Sequence, residues 1–259
     1  MSDSIATETD DRMGLKEHLV ELKVRLTHSL ICLFAVFAAC YGVSETLMDI
    51  VVDPLRSQLD ADIPMIFISL PEVFFAQLKI SFVFALFISS PYLLYHLWSF
   101  VAPGLYSGEK KLFLLFLIGS SVLFMIGGFF SYSFVMPLAF GFFIGFSGPG
   151  LDVLPAVQPY VSLVIKLAFA FGLAFEIPLV CILLVKLGVM STEAMKKQRR
   201  WVFVGAFVLG AILTPPDIIS QLLLALPVYL LFEIGVFFAK RFERDEDADD
   251  AEDTESVNG

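Results

Sequence analysis

The chain is poor in residues that do chemistry. Its 259 residues include three histidines and three cysteines. Cys32, Cys40 and Cys181 are odd in number, lie inside apolar runs, and have no metal-ligand spacing to His18, His28 or His96. That pattern speaks against a disulfide framework or a metal centre and leaves the thiols as small buried apolar groups. There is no Walker loop, no dinucleotide fingerprint, and neither a paired carboxylate nor a nucleophile with a base. No catalytic residue, bound cofactor or ATP hydrolysis is therefore expected. The cations are spread over short segments beside apolar runs, which is not the pattern of a nucleic-acid surface.

Apolar residues are what the chain has in excess. They make up 58% of it, with 28 phenylalanines, and the mean hydropathy is +0.82. Such a composition belongs to an all-α polytopic membrane protein. The net charge of −10 is largely a property of the ends, because thirteen of the 27 acidic residues fall in positions 1 to 11 and 243 to 255. We expect a disordered tail over 1–13, a membrane domain over 14–240, and an acidic, disordered tail over 241–259.

A helix needs about 20 apolar residues to cross roughly 30 Å of hydrocarbon. Six runs qualify as candidates, at 26–43, 75–97, 112–135, 160–187, 201–213 and 218–239. An acidic segment precedes the first run and no small-residue cleavage site follows it, so it reads as an uncleaved anchor. Thirteen Lys and Arg lie in one set of flanking segments and only Arg56 in the other. That bias places both termini in the cytoplasm.

Pro54, Pro64 and Pro71 punctuate the first outward loop, 44–74, which should form short amphipathic helices that cover Ile66, Phe67, Ile68, Phe74 and Phe75. The second outward loop, about 137–159, is rich in Gly and Pro and has Asp152 as its one charge. The fifth run stands out because Lys196 to Arg200 and Thr214-Pro-Pro-Asp217 confine it to thirteen residues. That length reaches only about 20 Å, so the bilayer thins there or the hairpin sits low. Pro227 suggests a bend in the sixth run.

Lys79, Lys166, Glu176 and Lys186 interrupt the runs. The lysines lie near span ends, where long stems reach the headgroups. Glu176 has a short stem and sits well inside, with Pro178 two residues on, so it should face a protein-lined, watered concavity. One such carboxylate is a poor proton relay; a polar point where another helix or a substrate segment enters suits it better.

In His18-Leu-Val-Glu-Leu-Lys-Val-Arg-Leu26 the residues Leu15, Leu19, Leu22 and Leu26 share one helical face, leaving Glu17, Glu21 and Lys23 for water or headgroups. Glu109 lies in another cytoplasmic segment, so two carboxylates could face one cationic peptide. This run resembles TatC, as do Trp98-Ser-Phe-Val-Ala-Pro-Gly-Leu-Tyr106 with Glu109-Lys-Lys111, Phe171-Gly-Leu-Ala-Phe-Glu-Ile-Pro178, and Leu213-Thr-Pro-Pro-Asp217 with Gln221. TatC is the multi-pass component of twin-arginine protein export in the bacterial inner membrane, and the likeness runs from about residue 14 to 240.

The resemblance implies six spans in a concave, glove-like bundle with short fifth and sixth spans. It also implies a non-enzymatic receptor that binds twin-arginine signal peptides of folded proteins at the cytoplasmic face. With the single-span partners TatA and TatB, such a receptor supports export driven by the proton-motive force, in a self-associated, multi-copy complex. By the same resemblance, Glu21, Phe100, Leu105 and Glu109 match the signal-peptide site, and Glu176 lies on the concave face. Thr214 and Gln221 lie where a partner helix packs, and Pro54, Pro91 and Tyr132 shape the outer cap and the bends. An arginine fork suits a carboxylate, since charge-assisted bonds are about twice as strong as neutral ones. One departure is Lys23, where the family commonly has arginine.

Two other classes compete with this reading. A secondary transporter of a small solute would use Glu176 as its coupling carboxylate, but should show internal repeats, and none is visible between residues 1–135 and 136–259. A structural scaffold would leave Glu21 and Glu109 dispensable.

Overall fold

A computed structural model of the protein describes residues 3–58, 65–101, 110–145, 154–213 and 218–257. These residues are almost entirely helical. The helices are α1 (Asp3–Gly42), α2 (Ser44–Arg56), α3 (Glu72–Val101), α4 (Lys110–Phe130), α5 (Met136–Gly145), α6 (Val157–Ala174), α7 (Ile177–Lys186), α8 (Thr192–Lys197), α9 (Arg199–Leu213) and α10 (Ile218–Val257). Five segments are long and apolar enough to cross a membrane: Val20–Gly42, Glu72–Phe100, Phe113–Gly145, Val157–Lys186 and Gln221–Arg241. At 15 residues, α9 is shorter than any of them, in keeping with the confined fifth run.

The packing is inverted relative to a soluble protein. Ile31, Phe129 and Phe237 are well exposed, whereas Ser81, Ser120 and Ser131 are fully buried. Where the surrounding medium is hydrocarbon, apolar side chains gain nothing from the interior. Helices then associate through small residues and polar groups. Gly127 of α4 shows how close the approach is: a Cβ there would lie 2.4 Å from the carbonyl oxygen of Phe171 on α6.

One end of the bundle, the cap side, is built from α2 and the segments leading into α3 and α6. Val51 and Leu55 of α2 pack with Ile80, Met136, Tyr160 and Phe171 in the largest buried cluster. The other end, the tail side, has a smaller cluster in which Cys181 and Val185 of α7 meet Met195 of α8 and Phe232 and Val236 of α10. Gly188 adopts φ +63 just past α7, and the amide of Val189 closes back on the Leu184 carbonyl at 3.0 Å. This is the left-handed helix stop that glycine accommodates without strain.

Three features differ from the sequence expectation. The third span does not end at 135. It passes through a π-helical turn, Ser131–Val135, and continues as α5, so the first nine residues of the supposed loop 137–159 are helical. Pro137 is the second residue past the π-turn, and the wider coil relieves the clash and the missing amide that proline brings to a helix.

The fourth span breaks at Phe175 and Glu176 into α6 and α7, because Pro178 at the start of α7 cannot donate back into the preceding turn. Finally, Phe67, Ile68, Phe74 and Phe75 are exposed and not covered. They lie beside the start of a span, where exposure means contact with lipid.

Two of the prolines inside helices, Pro54 and Pro91, are compensated by hydroxyls. Pro54 lies inside α2 and leaves the carbonyl four residues back, that of Ile50, without an amide; the Tyr132 hydroxyl donates to it at 2.9 Å. Pro91 lies inside α3 and leaves Phe87, to whose carbonyl the Ser90 hydroxyl donates at 2.7 Å. At Pro54 and Pro91 alike, a hydroxyl thus serves the carbonyl that proline leaves free.

Candidate functional site

At the tail side, α1 and α3 run antiparallel along a seam. Leu33 and Cys40 meet Ala85 in its apolar part. Nearer the tail-side end, the rings of His28 and His96 stack with centroids 6.1 Å apart, and Tyr92 meets His96 edge-on at 4.6 Å. Both His96 nitrogens are buried without a hydrogen-bond partner, as is the indole nitrogen of Trp98.

Counting from the His28–His96 contact, Glu21 lies two helical turns further along α1, and Phe100 one turn further along α3. The seam therefore brings Glu21 and Phe100 towards the same tail-side end of the bundle. The two other residues expected with them, Leu105 and Glu109, lie outside the described residues.

Glu21 is half-buried, and both Nε and Nη2 of Arg25 donate to its Oε1, at 2.9 and 2.5 Å. The Glu21 side chain keeps 39% of its surface exposed, the same share as Leu22 beside it, and Leu26 is more exposed still. Lys23 is exposed.

Glu176 sits at the break between α6 and α7. One carboxylate oxygen, Oε1, is buried without a hydrogen-bond partner, and so is the Ser120 hydroxyl of α4, which the Glu176 side chain faces. The carboxylate thus has at least one oxygen enclosed by protein.

On α10, Gln221 donates from Nε2 to the Phe207 carbonyl of α9 at 2.7 Å. Its stem also closes on Gly210, where a Cβ would lie 3.1 Å from Gln221 Cγ. Gln221 therefore joins α9 to α10; Thr214 lies outside the described residues.

Three carboxylates carry structure that sequence reasoning did not single out. Glu72 is buried at the start of α3 and accepts the amides of Ile68 at 2.7 Å, Ser69 at 3.2 Å and Gln158 at 2.8 Å. Together with the isolated parallel bridge between Ile66 and Ala156, it ties the two cap-side connections to each other. Glu233 on α10 accepts from Arg199 at 2.5 Å and from the Tyr229 hydroxyl at 2.8 Å. Glu243 takes the hydroxyl and amide of Thr192, fastening α8 to α10. The Ser69–Glu72 spacing is that of a capping box, whereas the Gln158 amide on Glu72 and the Thr192 contacts of Glu243 come from distant segments that no local pattern announces.

Apolar outer faces, buried hydroxyls and a polar seam at one end define an α-helical, multi-pass membrane protein. Comparison with known proteins specifies it. The family model described as "Sec-independent protein translocase protein (TatC)" matches residues 17–227, and the chain belongs to this family. A Sec-independent protein translocase protein TatC of Magnetococcus marinus is 43% identical over 237 residues, covering 92% of this chain and 88% of the relative. The TatC of Escherichia coli is 42% identical over 231 residues, covering 89% and 90%.

A solved structure titled "Crystal Structure of Twin Arginine Translocase Receptor- TatC" superposes with a TM-score of 0.78 at 39% identity, covering 86% of this chain and 98% of that one. The protein is thus a non-enzymatic component of the Sec-independent twin-arginine translocase, a multi-pass protein of the inner membrane. The small-solute transporter reading finds no support in these likenesses.

Proposed function

We propose that the tail-side end of the α1–α3 seam is the receptor surface for twin-arginine signal peptides of folded proteins, with Glu21, Phe100, Leu105 and Glu109 as its contacts. The observation that carries this reading is the Arg25–Glu21 pair. The Glu21 carboxylate already holds a guanidinium through two nitrogens, and an incoming arginine would offer the same fork. Glu109, beside Lys110 and Lys111, supplies the second acceptor that two adjacent arginines need.

In this reading the tail side is cytoplasmic, both termini lie there, and α9 with α10 completes six crossings. Residues 14–240 form the membrane domain, with acidic tails over 1–13 and 241–259. Single-span TatA and TatB are the partners, and the α9–α10 hairpin near Thr214 and Gln221 receives a partner helix. Several copies associate in the lipid bilayer, and the proton-motive force drives export.

The test is cross-linking of a photoreactive twin-arginine signal peptide in membrane vesicles. Glu21→Ala and Glu109→Ala should each abolish the cross-link while the protein remains inserted. Normal cross-linking in both variants would sink the assignment.

A further inference from the structure

Lys166 is the unusual lysine of the three in the spans. It lies nine residues past Val157 on α6, so it sits no more than about 13 Å below the cap-side end of that helix. Lys166 is exposed and lines a cavity of about 400 Å³ between α6, α9 and α10, whose walls include Phe169, Leu209, Ile212, Leu213 and Leu224. Its ammonium makes no ion pair or hydrogen bond with any described residue.

The other wall explains how a cation is tolerated there. With 15 residues, α9 rises about 22 Å, against roughly 30 Å of hydrocarbon. Its last residues, Ile212 and Leu213, share the cavity with Lys166. The polar boundary of the bilayer is therefore about 8 Å lower beside α9 than beside α6, and the four-carbon stem of Lys166 covers what remains.

We infer that this cavity is a binding site for one anionic phospholipid from the cap-side leaflet. The phosphate diester rests on Lys166, and an acyl chain fills the apolar cleft between α6 and α9. Charge complementarity chooses this occupant over a neutral lipid or an apolar helix. An ammonium at the mouth of an apolar cavity, with no acidic partner among the described residues, is satisfied by a headgroup phosphate, and neither of the others supplies an anion.

The full chain, purified in neutral detergent, is titrated with phosphatidylglycerol and with phosphatidylcholine and read by native mass spectrometry. Phosphatidylglycerol should be retained about fivefold better than phosphatidylcholine. Lys166→Gln should abolish that preference and Lys166→Arg should keep it, and both substitutions are at an exposed position that folding tolerates.

A phosphatidylglycerol with a photoreactive acyl chain should label Phe169, Leu209 or Ile212. Glycerophosphoglycerol, the headgroup without chains, should not compete. The inference is overturned if both lipids are retained equally, if Lys166→Gln leaves the preference intact, if the free headgroup competes as well as the lipid, or if labels fall elsewhere because a helix fills the cleft.

Discussion

The Tyr132 hydroxyl donates to the carbonyl of Ile50 at 2.9 Å, joining the π-turn of the third span to α2 across 82 residues of chain. Ile50 is the carbonyl that Pro54 leaves without its helical amide. The bond therefore repairs the helix and fixes the cap to the bundle at once. Beside it, the Tyr160 hydroxyl reaches the Val51 carbonyl at 2.6 Å.

This relationship can be tested with a double-mutant cycle. Tyr132→Phe should lower stability in detergent by about 1 kcal/mol, the usual net value of a hydrogen bond whose acceptor is left unpaired. In a Pro54→Ala background the new amide can serve Ile50, so the same substitution should cost less. The difference between the two, read from thermal unfolding, should be at least about 0.5 kcal/mol; additive effects would show that proline and phenol are independent.

Glu72→Gln should loosen the cap without unfolding the bundle. A neutral amide oxygen is a weaker acceptor for three amides than a carboxylate. Hydrogen exchange should therefore quicken at Ile68, Ser69 and Gln158, and at Ile66 and Val157, whose amides make the hydrogen bonds of the Ile66–Ala156 bridge, while the amides of α7 keep their rates. Unchanged exchange at Gln158 would mean that Glu72 does not hold the two connections together.

Gly127→Ala should destabilise the protein by about 1–3 kcal/mol, the usual range for overpacking. The added methyl meets the Phe171 backbone, which cannot move aside as a side chain can. Gly205→Ala on α9 is the control: nothing lies within 4 Å of its Cβ position. It should be neutral, or stabilising by up to about 1 kcal/mol through helix propensity. Equal melting temperatures for the two variants would contradict the close α4–α6 approach.

Glu176→Gln should impair export or partner packing while signal-peptide cross-linking stays near the parent level, since Glu176 lies at the α6–α7 break, away from the tail-side ends of α1 and α3. Measuring both in the same vesicles separates the two effects. An equal loss of both would place Glu176 in the peptide site.

Composition and run length made the helical membrane class legible, and the confinement of 201–213 between cations and prolines announced the short α9. Glu176 was legible too, because a short stem deep in an apolar run has few places to go. Other features escaped for physical reasons. Periodicity does not distinguish a π-turn from α-helix, so Pro137 read as the start of a loop.

Exposure changes meaning at a membrane, so Leu22 and Leu26, which the spacing reads as a packed face, are exposed. Glu72 has the spacing of a capping box with Ser69, whose amide it accepts, but its reach to the Gln158 amide, 86 residues further along, leaves no trace in the sequence. Glu233 has a neighbour legible in the sequence, Tyr229 one turn back on α10, but its ion partner Arg199 is brought by folding from the start of α9.

On the reading proposed above, the Arg25–Glu21 pair bears on affinity: an arriving arginine does not find a bare acid, because Arg25 already occupies Oε1. Docking then shares or exchanges a guanidinium contact where one already exists, so its free energy is a small difference between similar bonds, which suits a receptor that releases what it binds.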